Sequence, residues 1–227
     1  MAKVIARISV SAPAEYAGEY EVVSVEPPPP PPPDPWVTIP GSPRIYCPKG
    51  KTGPSGPAAV VVTPIAAAKR YRLRYEVMPE GAFDFRAGGK LPGLGGGSVP
   101  AGGSTDVDGF SGRLMWGAGG RLSFYFYRVT GGVGGIDTGG YGTHWMWAAD
   151  AKLQPGQWNA IELLCDVATG ETVGYLNGVE KGRQTLKYLW PTVDRHVFSV
   201  FFGGQGDQYA PLKDEYLSFR NMKVLPG

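Results

Sequence analysis

The sequence predicts an all-β fold, a two-sheet antiparallel sandwich, from three observations. Among 227 residues there are 35 glycines and 22 prolines, and no long run shows helical period. Apolar residues instead recur at every second position in short runs bounded by glycine and proline, the pattern of half-buried strands. Asn177-Gly178 sits between two such runs, 172–176 and 179 onward, and is the strongest short-range hairpin signal. Nine or ten strands packed as two sheets follow, and a chain that is 42% hydrophobic and 12% aromatic has ample material for their core.

Residues 3–10 and 19–25 alternate well enough for two strands. Seven consecutive prolines, 27–33, then form a stiff polyproline II spacer. The expected organisation is a short β arm over 1–26, a linker over 27–35 and one main domain over 36–227. A peptide ligand for an SH3-type module is the other reading of such a run, and it is disfavoured by the lack of flanking basic residues. Strands are expected at 58–63 and 71–78, the second setting Arg72, Arg74 and Glu76 against Tyr71, Leu73, Tyr75 and Val77. The glycine-dense stretch 86–97 reads as a loop. Its spacing is neither GxxxxGK[ST] nor a GxGxxG between strand and helix, so its glycines are taken to let backbone pass close to a bulky ligand while Lys90 projects over it.

Residues 109–128 form the most informative stretch. Leu114 and Trp116 share one face of a strand with Ser111, Arg113 and Met115 on the other, and Leu122, Phe124 and Phe126 likewise oppose Ser123, Tyr125 and Tyr127. Cross-strand partners point to the same side, so apolar must meet apolar. A turn over 117–121 achieves this by placing Leu114 across from Phe124, Trp116 from Leu122, Arg113 from Tyr125 and Ser111 from Tyr127. A cation, two phenols and a hydroxyl then gather on one polar patch. A slip of one residue would bury the arginine unpaired, at a cost of several kcal/mol.

Beyond the hairpin, 130–142 is glycine-rich and expected to be a mobile loop beside the patch. His144, between it and Trp145 and Trp147, is either a second base or carboxylate ligand or a packed residue of the wall. Strands are expected from Trp158 to Asp166, over 196–202 with His196 at the core edge, and over 216–224.

A formal charge of +2, with no dense basic stripe and no zinc-ligand spacing, argues against nucleic acid, and no residues are singled out as metal ligands. Cys47 and Cys165 are read as unpaired core thiols. No run approaches a membrane span, and the opening residues lack a signal-peptide pattern. A soluble protein is expected, one that reaches an external target by release on lysis, by association with a virion, or through another module attached at the proline linker.

The chain resembles polysaccharide lyase family 14, the glucuronan and alginate lyases of chlorella viruses and marine molluscs. The residues that carry the resemblance are Gly89-Lys90-Leu91-Pro92-Gly93-Leu94, Gly109-Phe110-Ser111-Gly112-Arg113-Leu114-Met115-Trp116, Tyr125-Phe126-Tyr127, Phe202-Gly203-Gly204 with Asp214, and Phe219-Arg220-Asn221. The resemblance implies a concanavalin A-like β-jelly roll whose concave sheet binds an anionic polysaccharide. It also implies functional roles for Lys90, Ser111, Arg113, Tyr125 and Tyr127, and gives no reason to require a metal or cofactor. Arg128-Val129-Thr130 follows the tyrosine pair where many members are expected to have proline and glutamine nearby, a departure that bears on subsite preference.

These residues suit β-elimination from a polyuronate, a reaction that uses no water. The carboxylate next to C5 must be neutralised, a base must take the C5 proton, and an acid must meet the departing O4. Arg113 fits the first task through its planar fork, with Lys90 beside it. Tyr127 is the expected proton-transfer residue, with Tyr125 or Lys90 sharing a step, and Ser111 a hydrogen-bonding positioner. An ordinary phenol is ionised to about one part in a thousand near pH 7, so a tyrosine base predicts a rate that climbs into alkaline pH. A carboxylate pair for hydrolysis has no representative on the patch. A non-catalytic carbohydrate-binding module with the same sandwich is the alternative, since fold alone does not fix function.

Overall fold

The computed structural model describes residues 36–41, 43–137, 142–204 and 206–227, together with the backbone of two strands nearer the N-terminus. The chain divides into two units, 1–34 and 35–227. The first contains one antiparallel hairpin, β1 (Lys3–Val10) with β2 (Gly18–Ser24), with an irregularity between Val4 and Ala6. The expected proline rod, 27–33, lies outside the described residues.

In the second unit the strands are β3 (Val37–Thr38), β4 (Arg44–Cys47), β5 (Val60–Ala68), β6 (Arg70–Pro79), β7 (Gly88–Gly97), β8 (Gly109–Gly117), β9 (Leu122–Tyr127) and β10 (Val129–Gly131). They continue as β11 (Ile136–Asp137), β12 (Thr143–Met146), β13 (Asn159–Asp166), β14 (Glu171–Leu176), β15 (Val179–Tyr188), β16 (Val193–Ser199), β17 (Phe201–Phe202) and β18 (Glu215–Pro226). Two antiparallel sheets result. One runs β10-β15-β14-β13-β6-β18-β3 with β4 also on β18; the other runs β11-β12-β9-β8-β7-β16-β5 with β17 also on β7. The expected jelly-roll sandwich is thus observed, with more strands than the expected nine or ten, because several are only two to four residues long and one occupies the glycine-dense stretch expected to be a loop.

That strand is β7. Its glycines serve close packing inside the protein, where the sequence reading placed a flexible loop beside a ligand. A Cβ on Gly89 would sit 2.1 Å from the Trp116 indole, and one on Gly93 would sit 2.0 Å from the Gly112 carbonyl oxygen. Lys90 therefore projects from a central strand, paired on one side with Met115 of β8 and on the other with Phe201 of β17.

Alternation decides which residues fill the space between the sheets. Phe110, Leu114, Trp116, Phe124, Phe126 and Trp145 of the second sheet pack against Leu73, Tyr75, Val77, Ile161, Leu163, Leu217 and Phe219 of the first, all in one cluster. The Asn177-Gly178 turn adopts the expected left-handed pair of conformations, φ 51° and 79°, and joins β14 to β15. Cys47 and Cys165 are buried and unpaired, and burial pushes both thiols up to about 12. Among the described residues no helix is long and apolar enough to cross a membrane.

Candidate active site

The β8–β9 hairpin has the register read from its sequence: Ser111 faces Tyr127, Arg113 faces Tyr125, Leu114 faces Phe124 and Trp116 faces Leu122. The face opposite the core accordingly carries Met115, Tyr125 and Tyr127 as a cluster separate from the interlayer core. These side chains border a cavity of about 650 Å³, whose wall also includes Lys90, Ala101, Gly102, Arg113, His144, Ser199, Phe201 and Tyr209.

The structure corrects one expectation about this patch. Arg113 is only 4% exposed and Lys90 8%, because residues remote in sequence, Ala101 and Gly102 on one side and Phe201, Gly203, Gln208 and Tyr209 on the other, build walls around the patch. The arginine is nevertheless not neutralised. Its Nε finds no hydrogen-bond partner, one terminal nitrogen makes a long 3.4 Å contact with Ser199 Oγ, and its guanidinium lies 5.7 and 5.5 Å from the rings of Tyr125 and Tyr127. Burial pulls its pKa down while the two phenols oppose that shift. A buried guanidinium without a carboxylate is costly and suits a site whose anion arrives with the ligand.

Lys90 Nζ lies 2.7 Å from Met115 Sδ and 3.3 Å from the centre of the Tyr125 ring. The ring face favours an ammonium, but burial, and after it the positive charge of Arg113, prevail and lower the amine to about 6. Near neutral pH the amine is therefore mostly uncharged and able to accept a proton. The Tyr125 and Tyr127 hydroxyls are 3.0 Å apart, and the Gly142 N–H donates to the Tyr125 oxygen at 3.3 Å.

Ser111 is placed differently from the other four. It is fully buried, its Oγ donates to the Pro100 carbonyl at 2.6 Å, and it is absent from the cavity wall. His144 is part of the wall, its ring 4.4 Å from that of Tyr125. Burial and then Lys90 depress it to about 4, which keeps it neutral around pH 7. His196 instead is buried away from this cavity, with both ring nitrogens unpartnered.

Met115, Ser199 and Tyr209 were not singled out by the sequence. Met115 could have been, since it alternates in phase with Arg113, but an apolar residue on a polar face carries no chemical signal by itself. Ser199 and Tyr209 gave none. Among the described residues no Asp or Glu lines the cavity, which leaves no carboxylate pair there for hydrolysis. Among the described residues no cluster of metal-ligating side chains occurs.

Solved structures with this fold include a mutant of alginate lyase Aly36B in complex with alginate trisaccharide, 20% identical, matching 82% of each chain with a TM-score of 0.68. Alginate lyase vAL-1 from Chlorella virus is 21% identical over 85% of this chain and 88% of its own, TM-score 0.65. The marine PL-14 alginate lyase from Aplysia kurodai is 24% identical over 82% and 83%, TM-score 0.60. At these identities the likeness establishes the fold. No curated protein matches the chain. The model of the family described as polysaccharide lyase 14, however, matches residues 49–222, more than half the chain and the whole of the cavity wall. The chain belongs to polysaccharide lyase family 14 and is a lyase acting on polyuronates.

Proposed function

We propose that this lyase cleaves alginate or a closely related polyuronate by β-elimination, with Lys90 as base and Tyr127 as acid. The observation that carries this reading is a buried guanidinium, Arg113, beside a buried and mostly uncharged amine, Lys90, in a cavity with no Asp or Glu among the described residues that line it. Alginate is taken as the substrate class because the three structures compared above, with TM-scores of 0.68, 0.65 and 0.60, are alginate lyases, one of them in complex with an alginate trisaccharide.

In this reading Arg113 receives the uronate carboxylate and draws charge from C5. The uncharged Lys90 amine takes the C5 proton, the C5–H electrons form the C4=C5 double bond, and the C4–O4 bond breaks. Tyr127 gives its proton to O4. Transfer from the Lys90 ammonium back to the Tyr127 phenolate, through the adjoining Tyr125 hydroxyl or water, restores the enzyme. His144 stays neutral and serves as wall beside Tyr125.

Assigning the base to Lys90 moves the expected pH dependence. The limb of kcat/KM, which reports free-enzyme groups, should rise through about pH 6 and level above it, because the amine loses its proton there. A rate still climbing tenfold per unit between pH 8 and 10 would return the role of base to a tyrosine.

Tyr127→Phe should lower kcat by about 10²–10³-fold and leave polymer binding nearly unchanged. The measurement is growth of ultraviolet absorbance from the conjugated uronate, alongside a binding isotherm. Turnover at the wild-type rate in this variant would remove Tyr127 from the reaction.

A further inference from the structure

The connection between β7 and β8, residues 98–108, forms part of the cavity roof. It has its own internal bonds: Ser98 N–H to the Asp108 carbonyl at 3.0 Å, Ser104 N–H to the Ala101 carbonyl at 3.1 Å, and Asp106 N–H to Ser104 Oγ at 3.1 Å. Ala101 and Gly102 face the main cavity. Ser104 and Thr105 face a second recess of about 270 Å³ that shares Tyr127 as a wall and includes Arg128.

Two side chains of the hairpin hold this roof. Ser111 grips it at the Pro100 carbonyl. Arg128 grips its other half, Nε donating to the Asp106 carbonyl at 2.8 Å and one terminal nitrogen to the Ser104 carbonyl at 3.1 Å. Arg128 stands where the chain leaves the site sheet at the end of β9 and enters the opposite sheet as β10, at φ 59°. That left-handed corner favours glycine. An arginine kept at such a corner points to a use for its side chain.

We infer that Arg128 is a positioning residue of the lyase: it staples the 98–108 roof beside Tyr127 and so shapes the channel that grips the polymer, without touching the reacting atoms. Ser111 is the matching staple at the other end. The structural part of this inference stands on the hydrogen bonds alone, while its kinetic part rests on the lyase reading.

The decisive variant is Arg128→Gly, which removes the staple while suiting the corner's backbone, so that loss of fold is not the expected outcome. Arg128→Lys, able to reach a carbonyl with one donor group, is its partial rescue. In the full-length protein, elastase nicking within 98–108, mapped by mass spectrometry, should become roughly tenfold faster in Arg128→Gly and be intermediate in Arg128→Lys. KM for polyuronate should rise roughly tenfold while kcat stays within about threefold. Unchanged nicking would overturn the staple. A fall in kcat beyond about 100-fold at constant KM would also overturn it, by placing Arg128 at the reacting atoms. Should no polyuronate be cleaved by the wild type while nicking still responds to Arg128, the substrate reading fails and the staple stands.

Discussion

Lys90→Met is expected to abolish turnover and to stabilise the fold. Removing the proposed base should lower kcat by about 10³-fold or more. The stability gain comes from the same burial that makes the amine useful. In the folded protein the amine is held at about 6, whereas in the unfolded chain it returns to about 10.4, so folding disfavours the ammonium. The penalty is complete below about pH 6, shrinks as the pH rises because the folded protein has then given up a proton that the unfolded chain still holds, and is gone above the unfolded value. Near pH 7 it is on the order of 2–4 kcal/mol after relaxation of the site. Methionine matches the length of the lysine stem, meets Met115 without a charge, and should raise the melting temperature by roughly 5 °C or more. The gap between variant and wild type should narrow from pH 6 to pH 10 in melting experiments. An equal or lower melting temperature, with no pH dependence in the difference, would show that the amine is not strained by burial. Retained turnover would show that it is not the base.

Gly93→Ala is expected to prevent folding. The new methyl would lie 2.0 Å from the Gly112 carbonyl oxygen and 2.6 Å from Arg113 Cα, and neither is a side chain that can rotate aside. β7 and β8 would have to separate at the centre of their sheet, at the bulge between Leu91 and Gly93, where Gly93 faces Arg113. A loss above about 4 kcal/mol follows, a large share of the stability of a domain, and soluble yield should collapse. Gly117→Ala is the control. Its φ of −113° is open to any residue, its nearest neighbour to a Cβ is 3.7 Å away, and its effect should fall within about 0.5 kcal/mol. Circular dichroism and denaturant titration separate the two. A well-folded Gly93→Ala protein would contradict the close approach of the two strands.

The family motifs divide along the same line. Trp116 and Phe202 stack edge to face in the core, and Asn221, at φ 54°, lies within the irregular stretch of the β18–β6 pairing. Asp214 accepts the Lys49 N–H at 2.9 Å. Lys90, Arg113, Tyr125 and Tyr127 instead line the cavity. A motif shared in order and spacing therefore marked packing and chemistry together, without saying which residue did which.

By itself the sequence determined the sandwich, the Asn177-Gly178 turn and the β8–β9 register, hence the meeting of Arg113, Tyr125 and Tyr127. Those features follow from period-two alternation and from turns a few residues long, which involve near neighbours in the chain. Tertiary structure alone decided that 88–97 is a central strand, that Lys90 is buried beside Met115, that Ser111 serves the roof, and that His144 is held neutral. Each depends on atoms distant in sequence: the Trp116 indole demanding glycine at 89, Phe201 and Tyr209 walling the cavity beside the amine, the Pro100 carbonyl accepting the serine's hydrogen bond. A strand with nine buried positions and six glycines carries no alternation to read, because the side chains that explain it belong to its neighbours.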